Sequence, residues 1–153
     1  DTGLAPELLH LELTESSLLD GESGAIIALE TLHGIGVKLW LDDFGTGFSG
    51  LNHLRRVPVS GVKIDRSFVT DLLTDRHDVA LTSAIIAMAR SLDITVVAEG
   101  VESAALAEVL EQLDCPYGQG YWFGEPTHSE KLVELIIAQR YGDRSQTNVV
   151  PIS

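Results

Sequence analysis

The sequence predicts an α/β fold, a parallel sheet with helices packed outside it. Three observations carry this. Short β-type runs alternate with helix-type runs along the chain. At least one strand, "ITVVA", is almost wholly apolar, as in a sheet covered on both faces. Polar residues fall at the C-terminal ends of different strands, where α/β folds build their sites.

The elements follow in order. The opening, "DTGLAPELLH", reads as the end of a helix and its connection. "LHLEL" (Leu9–Leu13) is extended. "SGAIIALETLHGIG" has apolar residues at helical spacing and stops in glycines. "VKLWLDDF" (Val37–Phe44) is the second strand, and "SGLNHLRRV" a short helix closed by Pro58. "SGVKID" (Ser60–Asp65) is the third strand. "HDVALTSAIIAMARSLD" is a helix with Asp78 as its candidate cap. "ITVVAEG" (Ile94–Gly100) is the fourth strand, and "SAALAEVLEQLD" a helix capped by Ser103. "GQGYWFG" is the fifth strand, and "HSEKLVELIIAQRY" the last helix.

The chain has 153 residues, 44% of them apolar, which suits one domain with a real core. We place that domain at 1–141 and read 142–153 as a polar, frayed tail. Ten basic against 23 acidic side chains give a net charge of −13, which disfavours duplex nucleic acid. An anionic ligand would then need metal cations or a few placed Lys and Arg. Cys115 is the single cysteine, so no disulfide forms within the chain. No apolar run is long enough to span a membrane. The chain does not open with Met, and its one Met is Met88, so we expect it to be a piece of a longer protein.

Glu12, Asp42, Lys63, Glu99 and Gln119 each lie at or near the end of a different predicted strand. Their unequal spacings fit barrel units with helices of different length, though an open doubly wound sheet follows the same rule. Converging carboxylates with one lysine suit hard divalent cations and phosphate. Asp42 and Asp43 become compatible neighbours if cations sit between them. Each residue also has a plainer explanation. Paired Asp after a strand is often a turn or a cap. Lys63 and Asp65 could be a surface ion pair. Glu99 is harder to dismiss, because a charge closing a buried strand needs a partner. The glycine-spaced loop "FGTGFSG" reads best as an active-site loop. Tyr121, Trp122 and Phe123 could stack a base or fill the core.

"LELTES", "DDFGTGFSGL", "VKIDRSFV", "TVVAEGVES" and "CPYGQGYWFGEP" together resemble, in order and spacing, the later motifs of the EAL domain, a bacterial cyclic di-GMP phosphodiesterase module. The resemblance runs from about Leu9 to Pro126. It implies a TIM-type (β/α)8 barrel, of which this chain holds roughly the last five βα units. It implies hydrolysis of cyclic di-GMP to linear pGpG with Mg²⁺ or Mn²⁺, two per complete site, and inhibition by Ca²⁺. By the same resemblance Glu12, Asp42, Asp43 and Glu99 would be metal ligands, and Asp43 would also contact substrate. Lys63 would hold the water or the scissile phosphate. Glu99 would also be the general-base candidate, and Gln119 would orient water. Glu102 would be a substrate contact or a support behind one. Glu15 would anchor the loop Phe44, Gly45, Thr46, Gly47, Phe48 and Ser49.

Phe48, Gly50, Pro116 and Glu125 depart from the usual family residues, and none of them is a ligand. The Glu-Ala-Leu signature, its nearby Arg and the Asn ligand are absent, so the chain alone is expected to bind metal weakly and hydrolyse little. The family further implies the N-terminal remainder of the domain as a partner, a homodimer, an upstream sensor or diguanylate-cyclase-like (GGDEF-type) domain, and a bacterial cytoplasmic location. Two other readings stay open: a receptor that binds cyclic di-GMP without hydrolysing it, and a purely structural half-barrel.

Overall fold

The computed structural model describes residues 2–14, 23–46, 54, 57–141 and 149–151. A 3-10 turn at Pro6–Leu8 leads into β1 (His10–Thr14). Then come α1 (Ser23–Gly34), β2 (Lys38–Phe44), β3 (Gly61–Ile64), α2 (Arg66–Thr70), α3 (Arg76–Ser91), β4 (Thr95–Glu99), α4 (Ala104–Gln112), β5 (Tyr117–Gln119), α5 (Ser129–Tyr141) and β6 (Val149–Pro151). The six strands lie side by side in chain order. β1 to β5 are parallel, as the alternation of strands and helices predicts.

Alternation within the strands sorts residues onto two faces. Leu41, Phe44, Val62, Ile64, Val96 and Ala98 face the helices. They form the main core with Ile86 and Ala89 of α3 and Leu106 and Leu110 of α4. A second cluster joins Leu29 of α1 to Val37, Leu39 and Val57. The opposite face carries Glu12, Trp40, Lys63, Glu99 and Gln119. There the Trp40 ring lies over Gly61, where a Cβ would come within 2.5 Å of it, and stacks on His10 with centroids 5.5 Å apart.

The helix signals hold with one correction. Ser103 caps α4, accepting from the Leu106 N–H at 3.3 Å. The cap of α3 is Asp75, not Asp78. Asp75 is extended (φ −110°, ψ 116°), and its carboxylate accepts from the His77 N–H at 2.7 Å, whereas Asp78 already lies in the first turn. Asp75→Ala is expected to cost about 1 kcal/mol, read as a shift in urea midpoint; an unchanged midpoint would contradict the cap.

Three other expectations change. β5 covers Tyr117–Gln119 only, because Tyr121–Phe123 form a turn that folds back, with the Trp122 N–H donating to the Val101 carbonyl. The short helix α2 begins directly after β3 and has too few residues for periodicity to show it. Within the tail expected to fray, residues 149–151 pair antiparallel with β5. Most of the helix expected at "SGLNHLRRV" lies outside the described residues.

Candidate active site

The paired aspartates are accommodated by a break in the ladder between β2 and β3. Leu41 pairs with Val62 and Phe44 pairs with Ile64, so Asp42 and Asp43 both stand against the single residue Lys63. This is a β-bulge, one residue extra on one strand. In a regular strand two neighbours point to opposite faces. Here Asp43 takes a left-handed conformation (φ 53°), and both carboxylates reach the same side. The turn is held locally. The Asp43 N–H donates to Asp42 Oδ1 at 3.2 Å, and the Thr46 hydroxyl donates to the Asp43 carbonyl at 2.9 Å.

Lys63 is the centre of the cluster. Its Nζ lies 2.7 Å from Glu99 Oε1, 3.1 Å from Glu12 Oε1 and 3.3 Å from Asp42 Oδ1. Its side chain is only 9% exposed. Burial alone would lower the lysine pKa. Hydrogen bonds to Glu99 and Glu12 and the charges of Glu99 and Asp42 outweigh burial and hold the ammonium above its ordinary range. Glu99 is raised: burial is the largest cause, Asp42 and Glu12 add to it, and Lys63 only partly offsets it. Asp43 is also raised, by burial first and then by the charges of Asp42 and Asp65, and Lys63 again opposes.

Lys63→Met keeps the stem but leaves three carboxylates facing one another. It is expected to destabilise the metal-free protein by about 1–3 kcal/mol, less than for a fully buried pair because Glu12 is half exposed. The sign with pH follows from the raised pKa. The stabilisation is complete below the ordinary lysine value of 10.5 and is lost only as pH rises through the higher folded value. Urea denaturation in EDTA checks this, and equal midpoints for variant and wild type would refute it.

Ligand atoms of Asp42, Asp43 and Glu99 all lie within 4.8 Å of one another, a spacing that three donors to one cation can adopt. Glu12 meets this group through Lys63. Gln119 pairs with Glu99 across β4 and β5. Glu99 and Gln119 line a pocket of about 220 Å³ together with Arg66, Gly100, Glu102 and Tyr121. Phe44 is buried in the core and so belongs to the packing, not to the loop surface. Gly45 (φ 104°) fits against Phe68, which a Cβ would meet at 2.9 Å. Glu15, Gly47, Phe48 and Ser49 lie outside the described residues.

Asp65 does not pair with Lys63. It caps α2 by accepting from the Ser67 N–H at 3.0 Å. Burial raises its pKa, but the Ser67 hydroxyl, the backbone N–H groups of Ser67 and Arg66, and the Arg66 charge outweigh burial and lower it. The Asp-x-Ser pattern at the end of a strand was the available signal for this role.

Comparison with known proteins agrees with this architecture. The EAL domain family model matches residues 1–126. The bifunctional diguanylate cyclase/cyclic di-GMP phosphodiesterase MucR of Pseudomonas aeruginosa is 44% identical over 133 residues, 87% of this chain and 19% of MucR. The cyclic di-GMP phosphodiesterase NbdA of the same organism is 43% identical over 139 residues, 91% of this chain and 18% of NbdA. The chain thus spans about a fifth of these relatives. The solved PaMucR phosphodiesterase in complex with c-di-GMP superposes with a TM-score of 0.78 at 44% identity, over 84% of this chain and 52% of that one. The manganese/cy-diGMP complex of Klebsiella pneumoniae BlrP1 gives 0.77 at 33% identity, over 81% and 32%. With five matched motifs, this sheet and these neighbours, the chain belongs to the EAL domain family.

Proposed function

We propose that this chain supplies the later half of the active site of a metal-dependent phosphodiesterase that hydrolyses cyclic di-GMP to pGpG. One observation carries the reading: Asp42, Asp43 and Glu99 converge beside the buried Lys63, on the fold of a family with named cyclic di-GMP phosphodiesterases. Asp42, Asp43, Glu99 and Glu12 would hold Mg²⁺ or Mn²⁺, which when bound supplies Lewis-acid polarisation of the phosphodiester and of the attacking water. The other steps belong to the chain's own residues. The Lys63 ammonium, kept charged, stabilises the negative charge that builds on phosphate. A carboxylate oxygen of Glu99, at the C-terminal end of β4, accepts the proton of the attacking water. Gln119, one strand over, orients that water.

We propose further that the N-terminal remainder of the EAL domain completes the barrel, with a homodimer and an upstream sensor or cyclase-like domain as larger context. Such a remainder would cover the outer edge of β1 and the exposed Val133, Ile136 and Ile137 of α5. No described helix is long and apolar enough to cross a membrane.

The test is conversion of cyclic di-GMP by the full-length protein with Mn²⁺, followed by mass spectrometry. Appearance of pGpG supports the reading; intact substrate after saturating Mn²⁺ overturns it. Ca²⁺ is expected to cut the Mn²⁺-supported rate by at least about 10-fold, because its larger and looser coordination spreads the site. A calcium/cy-diGMP complex is among the solved BlrP1 structures. Unchanged turnover in excess Ca²⁺ would contradict the expectation.

A further inference from the structure

Beneath the charged cluster the same face of the sheet carries a second layer. His10, Trp40 and Gly61 stand two residues before Glu12, Asp42 and Lys63 on β1, β2 and β3, so each pair shares a face, about 7 Å apart along its strand. Trp40 pairs with Gly61 across β2 and β3. The indole fills the space that a side chain on Gly61 would take: Cε3 and Cζ3 lie 2.5 Å, and Cη2 2.7 Å, from that Cβ position. Gly61 has no positive φ, so its missing side chain provides room for the ring rather than backbone freedom. On its other flank the indole stacks on His10, with ring centroids 5.5 Å apart and planes 18° from parallel. The ring is thus fixed from both neighbouring strands. Its Nε1–H is buried without an acceptor among the described residues, so bulk and flatness, not hydrogen bonding, account for its place.

That place lies below Lys63. The lysine has a flexible four-carbon stem, and its one ammonium meets Glu99, Glu12 and Asp42 together only while the stem is extended toward them. With the space at position 61 taken by an indole, the stem has no room to fold back along β3. An apolar floor also keeps water from reaching the ammonium from beneath, where it would weaken those contacts.

We infer that Trp40 is a positioning residue of this reaction: seated on Gly61, it forms the floor of the centre and sets the height of the Lys63 ammonium. The inference rests on the phosphodiesterase reading above. Trp40 acts through Lys63, so its removal slows the chemical step and leaves substrate and metal binding in place.

The experiment measures kcat, KM and Mn²⁺ affinity of the full-length protein with cyclic di-GMP. Trp40→Ala is expected to lower kcat about 10–100-fold, the scale of a misplaced catalytic group, with KM and Mn²⁺ affinity close to wild type. Trp40→Phe, which keeps a flat ring without the unpaired N–H, should keep most of the rate. Gly61→Ala drives a methyl into the ring, and should lower kcat in the wild type but not further in Trp40→Ala, a non-additive pair. Trp40→Leu keeps apolar bulk without the flat ring and serves if Trp40→Ala does not fold; its kcat should fall as well. Wild-type kcat in Trp40→Ala or Trp40→Leu overturns the inference and leaves the phosphodiesterase reading standing. Additive effects of Trp40→Ala and Gly61→Ala overturn it too. So does a loss of Mn²⁺ affinity that matches the loss of kcat, because Trp40 would then hold the fold of the whole site. Wild-type protein that forms no pGpG overturns the phosphodiesterase reading and this inference with it.

Discussion

Asp42→Asn is expected to lower kcat/KM for cyclic di-GMP by at least about 10³-fold while leaving the fold intact. The two side chains are nearly the same shape. The Asn oxygen can still accept from the Asp43 N–H, so the bulge keeps its local hydrogen bond. What is lost is the charge. Asp42 is one of three carboxylates whose oxygens converge, and it also faces Lys63 at 3.3 Å. Removing a hard anionic ligand takes away several kcal/mol of transition-state charge stabilisation, and each 1.36 kcal/mol is tenfold in rate. Circular dichroism and urea midpoint should stay within about 1 kcal/mol of wild type, since the change also relieves like-charge repulsion with Asp43. Turnover near the wild-type rate would sink the assignment of this cluster to catalysis.

Gly120→Ala is expected to be the most destabilising small substitution at the site, at about 2–4 kcal/mol. A Cβ at Gly120 would sit 2.2 Å from the Val101 carbonyl oxygen and 2.4 Å from its nitrogen. These are backbone atoms and cannot swing aside. They are also tied on both sides: the Val101 N–H donates to the Gln119 carbonyl, and the Val101 carbonyl accepts from the Trp122 N–H. Making room would pull β5 from the exit of β4, parting Gln119 from Glu99. Activity should therefore fall with stability. Gly24→Ala in α1 is the control. Nothing lies within 4 Å of its Cβ position, so it should be neutral or stabilising by up to about 1 kcal/mol. Equal midpoints for Gly120→Ala and Gly24→Ala would refute the packing argument.

The parallel sheet was legible because its strands are short, β-branched and separated by strong helical periods, as "ITVVA" and α3 show. Glu99 stood out because a charge ends an apolar strand. The ends of elements were less legible. Asp75 and Asp78 are both good caps, and only backbone dihedrals choose between them. The aromatic run at Tyr121–Phe123 looked like strand but folds back, because β5 ends where Gly120 meets the Val101 backbone. Phe44 opens a polar loop in sequence yet is buried, since the bulge shifts its parity. Asp65 was set aside because a Lys-x-Asp pair suggests a surface contact, whereas Lys63 turns to residues far away in sequence. Pairings between distant residues are set by the sheet and leave no local trace.

The ladder break has a further consequence for insertions and deletions. Removing Asp43 would let Asp42 face Lys63 alone while Phe44 kept its place beside Ile64, so the core would be undisturbed. The shortened chain would also shed a left-handed aspartate, which costs about 1–2 kcal/mol. A protein under selection for robustness alone would lose this residue. What the extra residue adds is a further carboxylate on the side where Asp42 and Glu99 already stand.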